Sequence, residues 1–513
     1  MANQVQIVTV VALIIFSAIM VVIGFYSMKK TRTVEGFLLG GRSIGAWISA
    51  FAYGTSYFSA VIFIGYAGKF GWDIGFPAMW IGVGNATLGC LAAWLLLAKR
   101  TRKMTHNLGS KTMPEFFEAR FGSTAMKVYS AIIIFVFLVP YSSAVYKGLG
   151  SLFVTIFPGA DIVICMAIVA GLTAVYLVFG GYVATAYTDF VQGIIMIFGV
   201  VVMVLAIITN PAVGGFANAF VKIKALGNAA GNPSLVSWFG GSNWKFLMYN
   251  IMLTSFGTWG LPQMVTKYYA IKDERSIKQA TVISTAFALI IGLGAYFVGS
   301  LGRIFVDVAD KGLPKGGFDM VVPQTLMNSL GMDGSILTTI ILAVIMLLLL
   351  SASMSTLSSI VLTSSSAISV DLIPVVHPQF KDKHQIAIMR LLCLLFVGLS
   401  FLFATANITF IVNLMSFSWG VVAGSFIGPF LWGLYYKGTT KTGAWAGLLS
   451  GLFVVGILTI IHTVSSDSFK FAMSMSPQSG ISAMAVSVAV VPLVSLATKN
   501  VPTESIKTAF DIK

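Results

Sequence analysis

Apolar runs of about 20 residues or more recur along the chain between short polar connections, and that is the length a helix needs to cross a roughly 30 Å hydrocarbon core. Thirteen such stretches can be placed, at 7–27, 45–72, 75–98, 124–155, 160–180, 188–208, 240–266, 278–302, 335–370, 387–405, 407–436, 443–463 and 478–497. Several are long enough to be tilted or broken. The longest polar connections, 209–240 and 302–335, run to about 35 residues each, too short for an independent domain. The pattern predicts an all-α membrane protein of about 13 transmembrane helices. The stretch 7–27 is kept as a true span, because it lacks the basic flank and small-residue cleavage site of a signal peptide.

Composition agrees: of 513 residues, 57% are hydrophobic and 10% charged, and the mean hydropathy is +0.91. A net charge of +15 would suggest nucleic acid in a soluble protein. In a polytopic chain it is instead the sidedness of Lys and Arg that matters. With the N-terminus outside, MKKTRT, AKRTRK, KYYAIKDERSIK, FKDKHQ, YKGTTK and the C-terminal tail all fall inside; in all, 22 of the 32 basic residues then lie inside and 8 outside, with Lys127 and Lys147 in or near spans. The expected setting is the plasma membrane, with an external N-terminus, a cytoplasmic C-terminus, lipid around a monomeric unit and no nucleic acid partner.

Several chemistries are disfavoured. The lone Gly-Lys pair, Gly68-Lys69, is followed by Phe70, so no phosphate-cradling loop is present. Cys90, Cys165 and Cys393 lie in apolar spans and the four histidines are scattered, which suits neither disulfides nor metal or haem ligation. A TVGYG-type filter is missing too. With no soluble catalytic module, the chain reads as a transporter rather than an enzyme, and an ion gradient is the remaining power source.

Gradient-driven carriers bind near the bilayer midplane, where Gly or Pro interrupts a helix and freed carbonyls coordinate. Two stretches fit. In SAFAYGTSYFSAVIFIGYAG (49–68), Gly54, Thr55 and Ser56 interrupt an apolar helix; in TSFGTWGLPQMV (254–265), Gly257, Gly260 and Pro262 make an unbroken helix costly. Small residues for close packing are the other reading of each. The two stretches begin two blocks of five spans, as inverted repeats would.

At 351–369, SASMSTLSSIVLTSSSAIS carries hydroxyls on eleven of nineteen residues. On a helix Ser355, Ser358 and Ser359 share a face with Thr356 beside them, and Ala352 lies one turn earlier. Hydroxyls and carbonyls suit a small hard cation such as sodium, though Ser and Thr also bond their own helix or glue neighbours. Nearly all of the 17 acidic residues fall in loops or at the chain ends; Asp189, at the start of the sixth span, is the exception that matters, because an intramembrane carboxylate is expensive. It can cap the sixth span or ligate an ion.

LGGRS (39–43), GGYVATAYTDFVQG (180–193) and SMSTLSS (353–359), together with the span layout, resemble the sodium/solute symporter family, over nearly the whole chain. The resemblance implies a LeuT-like core of two inverted five-helix repeats working by alternating access. Its expected parts are 1–44 (first helix and inner loop), 45–208 and 240–442 (the repeats), 209–239 (an extracellular loop) and 443–513 (two further helices and the tail). It implies a main sodium site from the carbonyls of Thr55, Phe58 and Ala352 and the hydroxyls of Ser355 and Thr356. A second site, seen in sialic acid symporters, maps onto Asp189, Ser355, Ser358 and Ser359. One or two sodium ions would thus be carried.

The solute, on the same resemblance, sits near Tyr57, Ala60, Val61, Tyr141, Thr254, Thr258 and Pro262. Tyr57 stands where proline carriers have Asp, and Thr254 and Thr258 where they have Trp and Tyr; WGLPQMVTKYYAIKD and GSLGRIF look more like the pantothenate branch. A small carboxylate or amino acid-like solute is expected. Lys147 could hold its carboxylate or stand in for an ion, or could snorkel to the interface. A sodium-independent uniporter or channel-like permease, and proton coupling, are the competing readings. PEFFEARFG (114–122) reads as an interfacial helix with solvated charges.

Overall fold

The computed structural model describes residues 2–28, 33–157, 159–309, 312–330, 335–378, 382–406, 409–498 and 503–511. Among these the chain is helical, with only two isolated bridge pairings, Ile44–Ile271 and Val308–Pro314. The long elements are α1 (Ala2–Ser27), α2 (Ala46–Tyr57), α3 (Val61–Ile74), α4 (Phe76–Asn107), α5 (Thr124–Ile156), α6 (Ile162–Ile208), α7 (Trp244–Gly260) and α8 (Pro262–Ala270). They continue with α9 (Glu274–Ser300), α10 (Ile336–Ser366), α11 (Asp382–Thr405), α12 (Ile411–Tyr435), α13 (Lys441–Ser466) and α14 (Ser476–Ala497).

Ten helices among the described residues are long and apolar enough to cross a bilayer unaided, and the bent pair α2/α3 makes eleven. The other two expected spans are less regular. At 47 residues, α6 would be about 70 Å long if straight, more than twice the hydrocarbon thickness. It turns at Gly181, whose φ of 52° and ψ of −150° suit glycine alone, and so supplies both Ile162–Val178 and Gly180–Ile208. The polar connection expected at 181–187 is therefore only a corner. Asp189 lies two turns inside the second arm and caps nothing, against the capping reading; it is Asp161 that caps α6, accepting from the Val163 N–H at 2.6 Å. The pair α7/α8 is the other irregular span, interrupted at Leu261 (φ −81°, ψ 120°).

Both broken helices break where the chain cannot continue a ladder, but only one does so at the expected residues. Gly260 and Pro262 flank the α7/α8 interruption. In the first pair, α2 stays regular through Gly54, Thr55 and Ser56, and the 47° bend comes at Phe58 (φ −96°, ψ 88°). Gly54 instead permits a close helix contact, since a Cβ there would enter the ring of Phe287 on α9. The two pairs are also tied together. Ile44, entering α2, donates to the Ala270 carbonyl at 3.2 Å and accepts from the Lys272 N–H at 3.0 Å, which links the start of one broken pair to the end of the other.

The polar connections hold structure of their own, including helices at Phe216–Ala229 and Val321–Leu330. The segment Met113–Phe121 is a helix with Thr112 as its cap, accepting from Glu115 N–H at 3.1 Å. Its charges are not all solvated, however. Arg120 is fully buried and donates to the carbonyls of Gly433 (3.1 Å) and Tyr436 (3.2 Å) at the end of α12, where a cation meets the negative end of the helix. Arg120→Ala should lower stability in detergent by about 1.5–3 kcal/mol, the worth of charged hydrogen bonds, read as an earlier thermal unfolding, with Arg120→Lys recovering part of it.

Candidate functional site

The interruption after α2 carries its last carbonyls against α10. Ser355 donates to the Thr55 carbonyl at 3.1 Å and to the Ala352 carbonyl at 3.2 Å. The Thr356 hydroxyl is 3.2 Å from the Thr55 carbonyl, 3.4 Å from that of Ser56 and 3.1 Å from that of Ala352. Four of the five expected ligand residues thus meet in one buried cluster, contributed by two segments about 300 positions apart. Phe58 forms the bend itself and is buried beside them. Two carbonyls and two rotatable hydroxyls, with no fixed positive charge among them, form a donor set suited to a hard monovalent cation.

The second predicted set does not converge in the same way. Ser355 is taken up by the first cluster, and Ser358 donates back to the Ser355 carbonyl at 2.9 Å. Ser359 lies 2.8 Å from Ser56 Oγ. Its other partner is Lys267, whose Nζ donates to Ser359 Oγ at 3.1 Å and stands 3.8 Å from Asp189 Oδ2. Both ends of that pair are buried, with side chains 2% and 0% exposed, and the Tyr182 ring lies 5.1 Å from the ammonium. The sequence pattern groups Lys267 with the inner loop KYYAIKDERSIK; it belongs to α8 instead, because the helix restarts at Pro262 and carries position 267 back among the spans. The available signal was its place five residues after that proline, in a largely apolar segment. Two unit cations 4 Å apart repel by about 4 kcal/mol at an effective dielectric of about 20, so an ion beside Asp189 would sit against the ammonium.

The predicted solute residues are only partly brought together. The Tyr57 ring stacks on Trp419 of α12 at 6.2 Å, and Tyr141 of α5 meets Trp419 edge-on at 5.6 Å. Tyr57 Oη donates to the Thr254 carbonyl at 2.7 Å. Thr254 and Thr258 turn their hydroxyls to α4, bonding Asn85 Oδ1 at 2.7 Å and the Gly89 carbonyl at 3.0 Å. The Gly89 carbonyl also accepts from Tyr53 Oη at 2.7 Å. It lies in Asn85–Ala92, which is wound as a π-helix, a local irregularity frequent at functional positions. Asn85 and Tyr53 escape a reading of the sequence, although a lone Asn in IGVGNATLGC is the kind of intramembrane polar residue that warrants attention. Ala60 and Val61 lie buried just past the bend. Ala60 packs against α5 at Gly148, where an added Cβ would approach the Ala60 side chain to 3.2 Å.

Pro262 faces elsewhere, onto a narrow cavity of about 30 Å³ that also touches Lys267, Ser359, Lys111, Thr112 and Asp371. Lys147 is separate from the aromatic cluster. Its ammonium donates to the Thr409 carbonyl at 2.5 Å, in a cavity of about 630 Å³ shared with Lys69, Asp319 and Lys470. Burial there pushes the Asp319 carboxyl up to about 6, partly offset by Lys147.

The family model of the sodium:solute symporter family matches residues 37–451. The chain is 29% identical to the high-affinity proline transporter PutP of Bacillus subtilis over 94% of this chain and 98% of that one. It is also 29% identical to the osmoregulated proline transporter OpuE of the same organism (90% and 89%), and 30% identical to a sodium/proline symporter of Staphylococcus aureus (87% and 85%). Among solved structures, a Na+-coupled sialic acid symporter in a substrate-bound outward-open state superposes with a TM-score of 0.74 at 16% identity, over 96% of this chain and 98% of the other. The nucleobase-cation symporter MHP1, in a closed conformation, gives 0.51 at 15% identity over 92% and 98%. The fold is LeuT-like.

Proposed function

This chain belongs to the sodium:solute symporter family and couples sodium to a small solute; on that premise we propose that it brings a small organic carboxylate or amino acid-like solute into the cell by alternating access. The observation that carries the proposal is the convergence of Thr55, Ala352, Ser355 and Thr356, with Phe58 at the bend. An ion bound there bridges the broken α2/α3 pair and α10. Its occupancy therefore favours one arrangement of the two over the other, by as much as its affinity differs between them.

The solute region on this reading is that of Tyr57, Tyr141 and Trp419, whose aromatic rings, packed against one another, would form its walls once parted. Such walls suit a compact solute with a short apolar body. The relatives named as proline transporters and the sialic acid symporter bracket the class, since both cargoes carry a carboxylate. In this scheme 45–208 and 240–442 are the two repeats, the N-terminus lies outside and the C-terminus in the cytoplasm.

Purified protein in proteoliposomes, offered proline, pantothenate, sialic acid and short monocarboxylates, should accumulate at least one of them only under an inward sodium gradient. Equal uptake with sodium, potassium or a proton gradient would replace the reading with uniport or proton coupling.

A further inference from the structure

Asp189 and Ser359, the acidic end of the expected second ion site, are met by the chain's own cation. We propose that the Lys267 ammonium is the resident occupant of that position, so that a single sodium ion, held at Thr55, Ala352, Ser355 and Thr356, is all that each chain binds. This rests on the sodium-site reading above and goes beyond it by setting the stoichiometry.

Four observations carry it. The ammonium is at hydrogen-bond distance from Ser359 Oγ and at ion-pair distance from Asp189 Oδ2. Among the described residues neither Asp189 carboxylate oxygen accepts a hydrogen bond, so its charge is met by Lys267 and not by donors of the chain. The Lys267–Asp189 pair is buried, with side chains 2% and 0% exposed, so a further cation beside it would meet the ammonium's repulsion with little screening by water. Finally, Ser355 and Ser358, the remaining ligands of the expected set, are bonded to the Thr55 and Ala352 carbonyls and to the Ser355 carbonyl.

Placing the cation on α8 has a mechanical consequence. A sodium ion at this point leaves on each cycle, whereas Lys267 stays attached to the broken helix and links it to α6 and α10. It would act as a positioning residue for the neighbouring ion cluster, through Ser359 and its 2.8 Å contact with Ser56. With one ion per cycle, a 100 mV potential concentrates a neutral solute about fiftyfold, against more than a thousandfold for two.

Radioactive sodium binding to the purified full-length protein tests this without knowledge of the solute. The wild type should bind one ion per chain and Lys267→Ala two, since the unpaired Asp189 then recruits sodium. Lys267→Arg and the charge-neutral double variant Lys267→Met/Asp189→Asn should each bind one. Two ions on the wild type would overturn the stoichiometry while leaving the sodium-coupled reading intact. No binding at all would instead remove the ion cluster on which both depend. Should Lys267→Ala fail to fold, the wild-type count and the double variant still decide.

Discussion

Thr356→Ala should raise the sodium concentration for half-maximal uptake by about tenfold or more, a loss of about 1.4 kcal/mol or greater in ion affinity. The hydroxyl is within 3.1–3.4 Å of three carbonyls, on Thr55, Ser56 and Ala352, and it is the point at which α10 addresses the end of α2. Removing it deletes one of few oxygens around the ion and leaves the Thr55 carbonyl to Ser355 alone. Thr356→Ser keeps the oxygen and should behave nearly as the wild type. A second readout separates binding from folding. Sodium at a hundredfold excess over its dissociation constant stabilises a protein by about 2.7 kcal/mol, and a tenfold weaker site keeps only about 1.4 kcal/mol of that, so sodium should raise the wild-type unfolding temperature about twice as far as that of Thr356→Ala. An unchanged sodium response in both assays would place the ion elsewhere.

Gly299→Leu should abolish the folded protein, and Gly299→Ala should lower stability by about 1–3 kcal/mol, the usual cost of overpacking. Gly299 on α9 faces Gly71 on α3, and an added Cβ would fall on the Ala67 carbonyl, which is backbone and cannot swing aside. Small residues at such crossings let helices in a bilayer approach closely. Here that contact seats α3, the second half of the first broken pair, on α9. Gly456, on α13, is the control: nothing lies within 4 Å of its Cβ position, so Gly456→Ala should leave thermal unfolding in detergent roughly unchanged. If both alanine variants behave alike, the α3–α9 contact is looser than the packing indicates.

Much of this architecture can be read along the chain. Bilayer thickness makes a long apolar run a span whatever its neighbours, and Gly260 with Pro262 weakens any helix that includes them, so α7/α8 breaks where expected. The first break falls at Phe58 and not at Gly54, because a glycine can serve either a bend or a close contact, and only Phe287 across the interface decides which. The meeting of Ser355 and Thr356 with the Thr55 carbonyl was reachable because hydroxyl-rich 351–359 is itself a helix. Lys147 and the two threonines were harder. Which way a side chain on a buried helix points depends on rotation set by packing, and this sends Thr254 and Thr258 to α4 and Lys147 to a cavity shared with Lys69 and Asp319.

The amino-acid order alone determined the membrane class, the span pattern and the oxygen-rich face of α10, because each follows from local composition against a slab of fixed thickness. Tertiary structure alone decided the partner of Asp189. Residues 189, 267 and 359 meet only after α6 has turned at Gly181 and α8 has restarted at Pro262, and no local preference couples events so far apart in the chain.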